Sequence, residues 1–182
     1  FFWARRMNSK ITAQIGLMLV AITWGLTFVL VKQALNDCPP FYFSTLRFGI
    51  ATILSIALVN RKLFQLTKNE MMGGMVCGFF LFLGYSFQNF GLINTTASKS
   101  AFITSVSVLM VPILLVMFNL QKIRKRIWIA VLMTILGLYL LILPSGGGLN
   151  LGDILTSGCA LCFAMHIIAQ DIYIKKKIRL IP

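Results

Sequence analysis

The chain has 182 residues, of which 58% are hydrophobic and 12% are charged. An average soluble domain carries roughly 25% charged residues, and a soluble domain of this size could not hide so much apolar surface. Seventeen Lys and Arg against four Asp and Glu give a formal charge of +13. These basic residues stand in short clusters between apolar runs, so they read as topology signals and contacts for lipid headgroups, and nucleic-acid binding is excluded as a partner class.

Six apolar segments follow one another, and several have no charge across a span-length interval. The interval between Lys10 and Lys32 holds 21 uncharged residues, that between Glu70 and Lys99 holds 28, that between Lys99 and Lys122 holds 22, and that between Arg126 and Asp153 holds 26. About 20 residues of helix cross a hydrocarbon core of roughly 30 Å. The first segment is expected over residues 11–34 and the second over 41–59, entered at Pro39-Pro40, where a missing N–H costs nothing. The third is expected over 71–93, the fourth over 98–120 and the fifth over 127–143. Pro144-Ser145-Gly146-Gly147-Gly148 breaks the chain, and the sixth runs over 151–174.

The loops then fix orientation. Fourteen of the seventeen basic residues fall in the N-terminal stretch, the links after the second and fourth segments, and the tail after the sixth. Lys32 and Lys99 stand on the alternate side, and Arg47 lies inside the second segment. Under the positive-inside rule both ends are cytoplasmic. The fold class is therefore all-α: a polytopic membrane helix bundle of about six transmembrane helices in the cell membrane, in contact with lipid.

The sequence carries no catalytic constellation, so an enzyme is not expected. One His and four carboxylates supply a metal site poorly, and no cofactor is expected. Cys159 and Cys162 have redox-motif spacing but lie in an apolar segment, where they read as small buried hydrophobes.

Polar groups at membrane depth are costly and therefore candidates for function. Arg47 lies about two turns, roughly 10 Å, below the outer end of the second segment. It reads as a contact for an anionic group, or as a snorkelling side chain that bonds helix-end carbonyls or pairs with Asp37. Gln88 and Asn89 lie late in the third segment. Lys99 opens the fourth, and Thr104 and Ser107 share a helical face beyond it. Trp24 sits away from the interfacial belt, and His166 is the single histidine. Pro112 marks a kink in the fourth segment. Gly74 and Gly78 form a G-x-x-x-G, which reads first as packing between helices of this chain and second as a dimer motif.

Trp24-Gly25-Leu26-Thr27-Phe28, Arg47-Phe48, and the run Asn94-Thr95-Thr96-Ala97-Ser98-Lys99-Ser100-Ala101-Phe102-Ile103-Thr104 leading to Val111-Pro112-Ile113 resemble the EamA branch of the drug/metabolite transporter superfamily. The resemblance implies a secondary carrier or exporter of small metabolites, amino acids or drugs. It implies two five-helix repeats of opposite orientation around a substrate cavity. On that plan residues 1–10 form a cytoplasmic tail and 11–143 the first five-helix repeat. Residues 151–174 open an incomplete second repeat, and 175–182 form a basic tail. The expected protein is thus a fragment that works with a homodimer partner or a complementing half. The alternative is a non-transporting scaffold or an inactive truncated product.

Overall fold

A computed structural model of the chain describes residues 2–59, 66–119, 125–142 and 148–175. Seven helices make up this part: α1 (Phe2–Asp37), α2 (Pro40–Val59), α3 (Lys68–Asn94), α4 (Ala97–Ser105), α5 (Ser107–Met117), α6 (Lys125–Ile142) and α7 (Leu151–Lys175). No strand occurs among the described residues. Each predicted segment coincides with a helix, except that the fourth is divided into α4 and α5. Helix α1 also continues back through residues 2–10, beyond the predicted start of the first segment.

Five stretches are long and apolar enough to cross a membrane, with α4 and α5 together forming one of them. The apolar part of α6, Arg126–Gly137, is shorter among the described residues. Most of the Gly-rich link, and seven of the fourteen basic residues that carried the orientation argument, lie outside the described residues.

Helix boundaries follow local chemistry. Pro40 occupies the first position of α2, and the Phe43 N–H donates to the Pro39 carbonyl at 3.0 Å. Helix α3 starts with a capping box: the Thr67 hydroxyl accepts from the Glu70 N–H, and the Glu70 carboxylate accepts from the Thr67 N–H at 2.8 Å. Helix α5 ends at Met117, is capped by Phe118, and is followed by Asn119, whose φ of 54° is the left-handed geometry common just past a helix end.

The division of the fourth segment falls at Val106, upstream of Pro112. There the Val106 N–H bonds to the Ile103 carbonyl, three residues back, at 3.1 Å. The Val106 carbonyl in turn accepts from both Leu109 and Met110. Pro112 lies inside α5. Its missing N–H leaves the Val108 carbonyl without a helical donor, and its ring crowds that carbonyl, so the irregularity is displaced toward the N-terminal side.

Helix α7 packs along α3 and also against α4 and α5. Its buried face carries Asp153, Thr156, Cys159, Ala160, Ala164 and Ile168, the three-and-four spacing of one helical stripe. Leu114 of α5 joins Ala164 and Ile168 in a small core completed by Met110, Val111, Leu115, Met165 and Ile172. Elsewhere large apolar side chains point outward, as with Leu17, Ile53 and Leu58. Hydrocarbon is as apolar as leucine, so these faces have no drive to pack on one another.

The close approaches lie at glycines other than the predicted pair. A Cβ on Gly74 or Gly78 would meet nothing within 4 Å, so that G-x-x-x-G packs against no described element. A Cβ on Gly152 would stand 2.6 Å from the Gly91 carbonyl oxygen and 2.7 Å from the Thr95 nitrogen. Helices α3 and α7 thus touch backbone to backbone at one end.

Candidate functional site

Two polar groups form between the helices. The first lies at the end where α1 and α3 finish and α4 and α7 begin. On the positive-inside reading of the loop charges this is the outer end.

Asp153 is its centre, with only 1% of the residue exposed. It caps α7 reciprocally with Asn150. The Asn150 side-chain oxygen accepts from the Asp153 N–H at 2.8 Å, and Asp153 Oδ2 accepts from the Asn150 N–H at 3.2 Å. Asp153 Oδ1 accepts a short hydrogen bond from the Thr95 hydroxyl. Lys99, itself 6% exposed, brings its ammonium to 3.7 Å from Asp153 Oδ2. That distance is an ion pair without a hydrogen bond. Lys32 closes the same end by donating to the carbonyls of Leu92 and Thr95 at 2.5 and 2.7 Å, which serves the last turn of α3. Beneath, Ser100 meets Thr156 at 3.4 Å, and Thr104 meets the Cys159 sulfur at 4.0 Å.

The second group lies between α2 and α3. Ser44, Arg47 and Phe48 share one face of α2, and Tyr85 and Asn89, four apart, share one face of α3. The Asn89 side-chain amide donates to the Ser44 hydroxyl at 2.9 Å, and that hydroxyl donates to the Pro40 carbonyl at 2.8 Å. Since the hydroxyl proton is already committed, Asn89 presents its NH₂ there. The remaining Asn89 Oδ1 is buried without a donor. One turn along, the Arg47 guanidinium lies 4.9 Å from the Tyr85 ring centre and 5.7 Å from that of Phe48. Tyr85 also meets Phe163 of α7 edge to face at 5.2 Å. These stacked rings hold the cation, while Asp37 is exposed and forms no ion pair with it. Among the described residues no carboxylate neutralises Arg47.

The other sequence candidates are scattered. Gln88 is buried in α3, and Ser107 is buried at the start of α5. Thr104 and Ser107 are separated by the break at Val106. His166 brings Nδ1 to 2.8 Å from the Cys77 carbonyl of α3. A carbonyl only accepts, so in the neutral ring Nδ1 carries the proton. Trp24 is 67% exposed and faces away from the described bundle.

The sequence model of the EamA-like transporter family matches residues 11–143. The chain belongs to the EamA-like transporter family. It is 40% identical over 159 residues to an uncharacterized transporter of Archaeoglobus fulgidus, an alignment covering 87% of this chain and 48% of that one. It is 25% identical over 119 residues to an uncharacterized transporter of Bacillus subtilis, covering 64% and 39%. It is 32% identical over 93 residues to a probable amino-acid metabolite efflux pump of Escherichia coli, covering 48% and 30%. The chain thus spans about half or less of the length of these curated relatives. No solved structure gives a significant match.

Within this EamA-like chain, sequence reasoning left Asp153 out of the candidate set, using it only as the boundary of an apolar interval. A signal was present. Asn150 followed three residues later by Asp153, directly before an apolar run, is a capping pattern, and the basic residue it would meet, Lys99, opens the preceding outer crossing.

Proposed function

We propose that this EamA-like chain is part of a secondary carrier that exports small molecules bearing an anionic group across the cell membrane. Amino acids and related metabolites are the leading substrate class. The observation that carries the reading is Arg47. It stands at membrane depth, held by two aromatic rings and left without a carboxylate among the described residues. A charge in that setting is expensive unless it meets a partner, and a transported carboxylate or other anion supplies one transiently. The orphaned Asn89 Oδ1 one turn away adds an acceptor for an N–H donor on the same molecule. The name of the Escherichia coli relative supports the amino-acid class. Trp24, Gln88, Lys99, Thr104, Ser107 and His166 stay in the candidate set as residues a completed cavity would bring to the substrate.

The other half of that cavity comes from a second repeat, whether in the same polypeptide or from a homodimer partner or complementing half. The test is counterflow in proteoliposomes made with the full reading frame. Labelled amino acids and small organic acids are offered outside, with each unlabelled compound loaded inside. Accumulation of at least one anionic compound supports the carrier; no accumulation for any of them, in vesicles that contain folded protein, refutes it.

A further inference from the structure

Helix α4 differs from its neighbours in how it is attached. It is nine residues long. At its start, the Thr96 hydroxyl accepts from the Lys99 N–H, and Thr95 and Thr96 stand outside the helix in extended backbone. At its end, the regular pattern fails at Val106. Both ends are therefore places where the chain can pivot.

Helix α4 packs on α7 through buried Ser100 and Ile103, but its side-chain polar contacts there are long. Ser100 to Thr156 at 3.4 Å and Thr104 to the Cys159 sulfur at 4.0 Å lie at the limit of hydrogen bonding. Helix α3, in contrast, meets α7 in backbone contact at Gly91 and Gly152. The ion pair that joins α4 to that pair at the outer end, among the described residues, is Lys99 to Asp153.

The two charges are not held alike. Asp153 keeps the Thr95 hydroxyl and the Asn150 N–H when Lys99 leaves. Lys99 has three donors, lies buried, and makes no side-chain hydrogen bond among the described residues, so Asp153 is its one charged contact there. A pair in which one member is anchored and the other has a single long contact separates at the second member.

We propose that α4 is a gate helix at the outer end of the carrier, latched shut by Lys99 on Asp153. It swings about the Thr95–Thr96 link and Val106 while α3 and α7 stay joined. Asp153 is a positioning residue in this device: it acts through Lys99. The proposal rests on the carrier reading, but its test uses no substrate. A latch that responds while no compound moves therefore counts against the carrier reading alone.

Ser100 is fully buried on the gate's inner side, so it serves as reporter. In the full-length protein carrying Cys38→Ser and Ser100→Cys, intact cells are treated with a membrane-impermeant maleimide. Modification at position 100 is followed by peptide mass spectrometry. Asp153→Asn is expected to speed labelling about tenfold, the effect of ~1.4 kcal/mol removed from closure. The exchanged pair Lys99→Asp with Asp153→Lys is expected to return most of the protection, which a merely structural role would not do.

Because Asp153→Asn leaves a lysine buried alone, Lys99→Met with Asp153→Asn provides a variant with no orphaned charge. It stays folded, with a thermal midpoint above that of Asp153→Asn alone, and labels faster than the parent. Unchanged labelling in this folded double variant, or an exchanged pair as open as Asp153→Asn, overturns the latch.

Discussion

Gly152 of α7 meets the Gly91 carbonyl of α3 so closely that an added Cβ would stand 2.6 Å away from that oxygen. In a bilayer this contact does the work that hydrophobic burial does in water. Small residues let backbones approach, and the gain is dispersion and polar contact rather than expelled water. The same approach brings the start of α7 under the Thr95 hydroxyl and so places Asp153 where Lys99 can reach it.

That contact gives the first prediction. Gly152→Ala forces atoms of two backbones apart and lowers stability by roughly 1–3 kcal/mol, the usual cost of overpacking. Gly74→Ala and Gly78→Ala fill open space on a helix and leave stability unchanged or raise it by up to about 1 kcal/mol. Thermal unfolding in detergent, compared across the three variants, distinguishes the two sites. Equal loss at Gly78 and Gly152 would contradict the packing described.

A second prediction concerns asymmetry in the buried pair. Asp153→Asn strands the Lys99 ammonium and removes the carboxylate that caps α7, so a loss of about 3–5 kcal/mol is expected. Lys99→Met leaves Asp153 with Thr95 and Asn150, and a smaller loss of about 1 kcal/mol is expected. Thermal midpoints in one detergent check the order. A larger loss for Lys99→Met would mean that Asp153 is not independently anchored.

A third prediction is local to the start of α3. Thr67→Ala removes the hydroxyl of the capping box and costs about 1 kcal/mol, and Thr67→Ser restores most of it. Hydrogen exchange at Glu70 and Met71, whose N–H groups bond to the Thr67 hydroxyl and carbonyl, reads the fraying directly, with faster exchange in the alanine variant alone.

Much of this architecture was legible in the sequence because hydropathy dictates it. Long uncharged intervals became helices, and Pro40 started α2 as its ring geometry requires. The meeting of Lys32, Thr95, Lys99 and Asp153 at one end is what antiparallel crossings demand. The site was less legible. Arg47 stood out because a charge inside an apolar run is visible without coordinates. Asp153 did not, because at the end of a span an acidic residue looks like a solvated boundary. Only tertiary packing buries it. Small-residue spacing misled for a related reason. Gly74 and Gly78 have the motif, yet helical rotation turns that face away from every described neighbour, while Gly91 and Gly152 lie on different helices and form no motif in sequence. Pro112 announced an irregular helix, but the strain is relieved at Val106, where the α pattern gives way to a three-residue hydrogen bond.

The most direct measurement of the central claim is paired counterflow in proteoliposomes of the full reading frame, using an amino acid found to be transported and its uncharged-carboxyl counterpart, the methyl ester. If Arg47 receives the anionic group, the acid accumulates and the ester does not, and Arg47→Ala abolishes uptake of the acid while the protein stays folded. Equal accumulation of acid and ester, or undiminished uptake of the acid by Arg47→Ala, would contradict the account.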